Sequence, residues 1–216
     1  MGASSKIIDL RHLLAERFPQ TILAPALRLP TGLPVIDDTI GGGLPKGAIT
    51  ELSSAHVSAG SALLICALLH AAHREGRFVA LVDGRDSFDP GPLGNARLSN
   101  LLWVRCAKAV AAIQAADLLL RDANFPLVVL DLVLNADDEL RKIPQTSWYR
   151  LQRLVEAAPT AFLVLTRTSM ISSARLKLSL DNAWSLADLE HDHLSSRLKV
   201  FVKRAQGERQ TLAGTG

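Results

Sequence analysis

Ile7, Leu10, Leu13, Leu14 and Phe18 recur at helical spacing, with Asp9, Arg11, His12, Glu16 and Arg17 on the other face and Pro19 as the stop. The pattern predicts an amphipathic helix of about three turns. Its apolar stripe either packs on its own chain or docks on another subunit or partner. Pro19, Pro25, Pro30 and Pro34 interrupt the next stretch, which keeps no period and is expected to be a connector. The expected division is therefore a helix and linker over residues 1–24 and one core domain over 25–216.

From Leu29 onward short β-type runs alternate with helical ones, the signature of an α/β fold with a wound sheet and crossover helices. Strands are expected over Ala48 to Leu52, Phe78 to Val82 (ending at Asp83), Leu127 to Leu130 (ending at Asp131) and Ala161 to Leu165. The last two are continuously apolar, as strands covered on both faces are. Leu176 to Leu186 and Arg197 to Arg204 read as late strands. In the second, Leu198, Val200 and Val202 alternate with Lys199, Phe201 and Lys203, which predicts one wetter face. Helices are expected over Ala62 to Arg74, Lys108 to Asp122 and Trp148 to Ala158. Neither a long repeat nor a low-complexity tract is visible.

The chain has 216 residues, 48% hydrophobic and 21% charged, enough for a sizeable core and unlike a disordered tail. Its two cysteines, Cys66 and Cys106, lie too far apart in sequence for a C-x-x-C motif and have no third partner. That excludes a zinc ribbon or disulfide scaffold, and both read as buried thiols of a reducing compartment. The charged amino-terminal segment holds no secretory apolar region, and the longest apolar stretch, Ala62 to Leu69, is far too short to span a membrane. A cytoplasmic protein without a membrane partner is expected. The net charge of +3 permits a nucleic-acid partner without demanding one.

In open α/β sheets ligands bind beyond the carboxyl ends of the strands, so the loop after Leu52 is the first place to search. A phosphate-binding loop reads G-x-x-x-x-G-K-[ST], the lysine meeting the β and γ phosphates and the hydroxyl meeting magnesium. Here the spacing survives without the chemistry: Ala55 stands for the first glycine, Gly60 for the second, Ser61 for the lysine and Ala62 for the hydroxyl residue, with Ser58 and Ala59 between. The remaining route to nucleotide would be the backbone amides around Ala59 and Gly60, since helix starts attract anions.

Several segments together resemble the RecA recombinase core. They are Leu29 to Asp37, the run Gly41-Gly-Gly-Leu-Pro-Lys-Gly-Ala-Ile-Thr-Glu51, the loop just described, Ala72 to Gly76, Val82 to Pro90, Asn100 to Leu102, and Pro126 to Asp131, which has the form of a Walker B strand. The likeness implies a RecA-like, mostly parallel twisted sheet flanked by helices, over roughly Leu29 to Arg204, without a carboxy-terminal domain. It also marks departures. Arg85 occupies the place of the glutamate that activates water, and a guanidinium cannot accept that proton. Thr166-Arg167 replaces the Asn-Gln of the sensor strand. Lysine and general base each commonly contribute factors of about 10² or more, so efficient ATP hydrolysis is not expected and no cofactor is assigned.

A degenerate core behind an amphipathic helix resembles the ImuA family. This resemblance implies an accessory role in SOS-induced translesion synthesis, beside RecA and an ImuB-type adaptor with an error-prone polymerase. Self-association and weak, non-specific contact with single-stranded DNA are open within it. The rival readings are a weak ATP-dependent recombinase paralogue using Lys46 or Lys108 as a substitute lysine, and a SulA-like inhibitor of cell division.

Other residues are weighed more plainly. Asp131 would be a magnesium ligand in an active ATPase and is read here as a relic at a strand end. His56 and Ser58 lack an orienting acid and belong to a solvated loop. Asp188 to His193 is a charged turn, not a metal site. Arg141, Lys142, Arg167, Arg175 and Lys177 are candidate DNA contacts, against the alternative of an ordinary solvated face. Trp148 and Tyr149 could stack on bases, with at least one expected in the core.

Overall fold

A computed structural model describes residues 27–56, 59–184 and 194–205. The amphipathic segment Ile7 to Phe18, the 188–193 turn and Ser58 lie outside them. Seven strands form one sheet in the order β5-β4-β6-β7-β3-β8-β9. They are β3 (Ala48–Ser54), β4 (Val79–Asp83), β5 (Leu101–Arg105), β6 (Leu127–Asp131), β7 (Ala161–Thr166), β8 (Leu176–Leu180) and β9 (Val200–Ala205). All neighbours pair in parallel except β8 and β9. A short antiparallel pair, β1 (Arg28–Leu29) and β2 (Leu44–Pro45), precedes the sheet. The expected α/β architecture, a mostly parallel sheet flanked by helices, is what the chain adopts.

Helices cover both faces because both faces of the central strands are apolar. On one face α2 (Ser61–Arg74) buries Leu64, Ile65, Leu68, Leu69 and Ala72, a stripe at helical spacing. On the other, α4 (Ala109–Asp122) buries Ala112, Ile113, Ala116 and Leu120, and α6 (Gln145–Glu156) buries Trp148, Leu151 and Val155. Short helices α1 (Pro34–Thr39), α3 (Asn95–Leu98) and α5 (Asp137–Arg141) occupy connections. Strands β6 and β7 are buried almost throughout, as their unbroken apolar runs predict.

Five expectations need correction. Leu101–Arg105, whose apolar run Leu101 to Val104 is absent from the expected elements, is a strand, half-covered because it forms an edge. Pro34 does not end a connector but opens α1, where its fixed φ suits the first turn. The late strand expected to reach Leu186 stops at Leu180, and Asn182 turns inward to bond the loop after β3. In β9 the predicted alternation fails: Phe201 and Val202 are both exposed on this edge strand, and a register shift beyond Val202 breaks the pairing at Lys203. Helix α6 also starts earlier than Trp148, at Gln145 behind Pro144.

Candidate functional site

The parallel order places the carboxyl ends of β3, β4, β6 and β7 side by side, and the sequence-predicted residues gather there. After β3 the chain passes exposed Ala55 and His56, and re-emerges at Ala59, which is fully buried. Gly60 takes a left-handed conformation (φ 107°) and Ser61 opens α2, 7% exposed, with Ala62 exposed beside it.

What buries this helix start comes from the far end of the chain. Leu198 lies directly against Gly60: its Cδ2 is 2.5 Å from where a Cβ would stand, and Trp184 Nε1 is 3.8 Å from the same point. The left-handed φ favours glycine at this position, and any Cβ there would displace the Leu198 methyl. Asn182 fastens the contact. Its Nδ2 donates to the Ala59 carbonyl at 2.8 Å, and its Oδ1 accepts from the Lys199 amide at 2.9 Å. Arg197 stands over the Trp184 ring at 5.7 Å. The Ala59–Gly60 end of the loop spaced like a phosphate cradle is thus packed against an apolar side chain and an amide.

Beside it is a cavity of about 320 Å³, lined in part by Ser61, Ala62, Cys66, Phe88, Asp89 and Asp131. No lysine or arginine is among its described lining residues. Two carboxylates without a cation make a poor receptor for a triphosphate, whose charge would be repelled in a partly dry site. The described lining of this cavity thus supplies no side-chain cation to a phosphate. Among the described residues no group of three or more His, Cys, Asp or Glu could hold a metal ion.

Asp131 and Asp83 end paired strands in register with one another. Asp131 accepts one bond, from the Val133 amide at 3.0 Å. Burial pushes its carboxyl up to about 6, the charge of Asp83 adds to the rise, and the Val133 bond opposes it. Asp83 is 1% exposed and accepts from the amides of Ser87 and Phe88 (2.8 Å each), the Arg85 amide (3.2 Å), Ser87 Oγ (3.3 Å) and Trp103 Nε1 (3.4 Å). It is the clasp of the β4 loop. Gly84 allows β4 and β6 to close here, since a Cβ would stand 2.4 Å from Asn135 Oδ1 and 2.7 Å from the Asp131 carbonyl. Arg85 turns to the Ala107 carbonyl at 3.1 Å and does not line the cavity.

The candidate substitute Lys46 lies at the amino end of β3, a full strand of roughly 20 Å from the loop, so it cannot replace the missing lysine. Lys108 precedes α4 and is not among the described cavity residues. Cys66 is half-buried in the cavity wall, and burial, then Asp89, pushes its thiol up, away from nucleophilic reactivity. Cys106 is buried, as expected.

The five candidate DNA contacts do not form one patch. Arg141 and Lys142 are exposed at the end of α5, where Lys142 faces Asp138 at 3.7 Å. Arg167 joins them by pairing with Asp137 at 2.7 Å. Lys177 is excluded as a phosphate contact: 16% exposed, it pairs with the buried Glu51 at 3.0 Å and bonds Ser169 Oγ at 2.9 Å. Glu51 also accepts from the Met170 and Ile171 amides, so this group holds the β7–β8 loop. Arg175 sits at the opposite end of the sheet, just before β8. Trp148 is fully buried and Tyr149 is exposed. Sequence reasoning missed Leu198, Trp184, Asn182 and Asp83. The polar donors after Asp83 were the one local signal.

No protein-family model matches the chain. It is 33% identical to the protein RecA of Clavibacter michiganensis over 114 residues, covering 51% of this chain and 31% of that protein. RecA of Francisella philomiragia and of a Picosynechococcus species are each 30% identical over 108 residues, covering 49% of this chain and 30% of theirs. The chain therefore spans about a third of the length of the curated relatives it matches.

Proposed function

We propose that this RecA-related chain is a catalytically degenerate accessory protein of the ImuA type, acting in SOS-induced translesion synthesis through contacts with RecA and an ImuB-type adaptor. One observation carries the non-catalytic part of the reading. The loop after β3 has no lysine, its helix start is covered by Leu198, and the neighbouring cavity offers carboxylates where a nucleotide requires cations. A pocket of this kind neither neutralises a triphosphate nor activates water. The sequence relation to RecA, over half the chain, supports a place in DNA-damage processing. Single-stranded DNA contact in this reading is weak and confined to Arg141, Lys142 and Arg167, whose charges are partly neutralised by Asp137 and Asp138. No helix among the described residues is long and apolar enough to cross a membrane.

The test pairs two measurements on the purified full chain. With magnesium-ATP and single-stranded DNA, phosphate release is expected to stay at the blank, and ATP to leave the melting temperature unchanged. Steady turnover abolished by Asp131→Ala would overturn the non-catalytic reading. Co-purification from damage-treated cells is expected to bring RecA and the adaptor. Their absence would remove the assignment to translesion synthesis while leaving the pocket argument standing.

A further inference from the structure

The layer of helices on the α4–α6 face of the sheet has no part in the strand-end site. Between α4 and α6 runs a groove of about 620 Å³, with Ile113, Ile143, Pro144 and Leu151 among its walls. Val110 and Leu118 continue it outward. With Gln114 between them they form an i, i+4, i+8 row along one side of α4. They are 53% and 68% exposed, unusual for aliphatic side chains flanking a concave surface.

One wall of the groove is charged. Asp117, 8% exposed, accepts at Oδ2 from Arg121 Nε and Arg150 Nη2, each at 2.8 Å, and its Oδ1 lies 2.7 Å from Arg150 Nε as an ion pair. Burial opposes its ionisation, but the hydrogen bonds from Arg121 and Arg150 hold its carboxyl below the usual range. Two guanidinium ions on one carboxylate leave one positive charge over. Both arginine side chains are more than half exposed, and Arg150 and Asp117 line the groove, so the surplus charge borders it. Exposed Arg141 and Lys142 immediately precede the lining residue Ile143 in the chain, Lys142 facing Asp138.

These features select the occupant. Nucleic acid would engage the cations alone, since bases stack on aromatic platforms and no aromatic residue is among the described lining residues. An aliphatic floor between two helices fits the leucine-type side chains of a third helix, and the uncompensated arginine pair fits a carboxylate on it. We propose that the α4–α6 groove docks an acidic amphipathic helix of another protein, its apolar stripe against Val110, Ile113, Leu118 and Leu151 and a carboxylate completing the Arg121–Asp117–Arg150 cluster. The inference stands apart from whether the strand-end pocket turns over nucleotide.

The experiment uses the full chain and two designed helical peptides of about five turns, identical in their leucine stripe and carrying glutamate or lysine on the flanks. By fluorescence anisotropy the glutamate peptide is expected to bind and the lysine peptide to bind at least roughly tenfold more weakly. Leu118→Glu and Val110→Glu, at exposed positions that leave the core intact, are each expected to weaken the glutamate peptide roughly tenfold without changing the melting temperature. Equal binding of both peptides, or of neither, overturns the proposal. So does displacement of the bound peptide by single-stranded DNA. Two further outcomes also overturn it by assigning the groove to this chain itself: light scattering in which Leu118→Glu turns a dimer into a monomer, or peptide binding that appears only after residues 1–24 are deleted.

Discussion

The loops after β3 and β4 leave the same end of the sheet on strands separated by two others, yet they are held by opposite means. The β4 loop is held by polarity, with one buried carboxylate, Asp83, accepting from three amides, a hydroxyl and an indole. The β3 loop is held by apolar contact, with Leu198 against Gly60 and one amide clamp from Asn182. The β4 loop is thus tied to its own backbone, whereas the β3 loop depends on residues contributed from beyond β8.

The largest effect should come from removing the polar clasp. Asp83→Ala removes a buried acceptor from part-buried donors on Ser87, Phe88 and Trp103, and is expected to cost about 3–5 kcal/mol by urea denaturation. A loss under about 1 kcal/mol would mean that water replaces the carboxylate and that the contrast between the loops is overstated.

The apolar closure should be nearly as sensitive. Leu198→Ala leaves a void against Gly60 and is expected to cost about 2–4 kcal/mol. The same variant sharpens the functional comparison. Magnesium-ATP is expected to leave its melting temperature unchanged, because uncovering the loop restores neither lysine nor cation. A nucleotide-dependent rise would show that the cover, and not the missing charge, keeps nucleotide out.

How far the sequence reveals this arrangement depends on the range of each interaction. Strands β6 and β7 were legible because burial on both faces writes an unbroken apolar run, and α2 and α4 because their stripes repeat locally. Strand β5 was hidden by its edge position, where Leu102 and Arg105 face outward. The loop spacing after β3 and the substitution at Arg85 were readable, but the cover was not: Asn182 meets Ala59 across 123 positions. Lys177 misled for the same reason. It stands in a run of basic residues, while its partner Glu51 lies more than a hundred positions away in sequence and pairs with it in register across β3 and β8.

The smallest expected change tests the carboxylate that the polar clasp does not serve. Asp131 keeps its proton in the folded protein up to about pH 6, whereas an unfolded aspartate loses it near pH 3.8. Between those values unfolding releases a proton, so this group's contribution to stability falls as pH rises and the cost is complete above pH 6. Asparagine at 131 still accepts from the Val133 amide but carries no charge. Asp131→Asn is therefore expected to stabilise the protein by about 1–3 kcal/mol at pH 7, with the gain shrinking toward zero at pH 4. Paired urea titrations at the two pH values measure it. A variant less stable than the parent at pH 7 would mean that the ionised carboxylate is compensated by a cation, and would return Asp131 to the status of a working ligand.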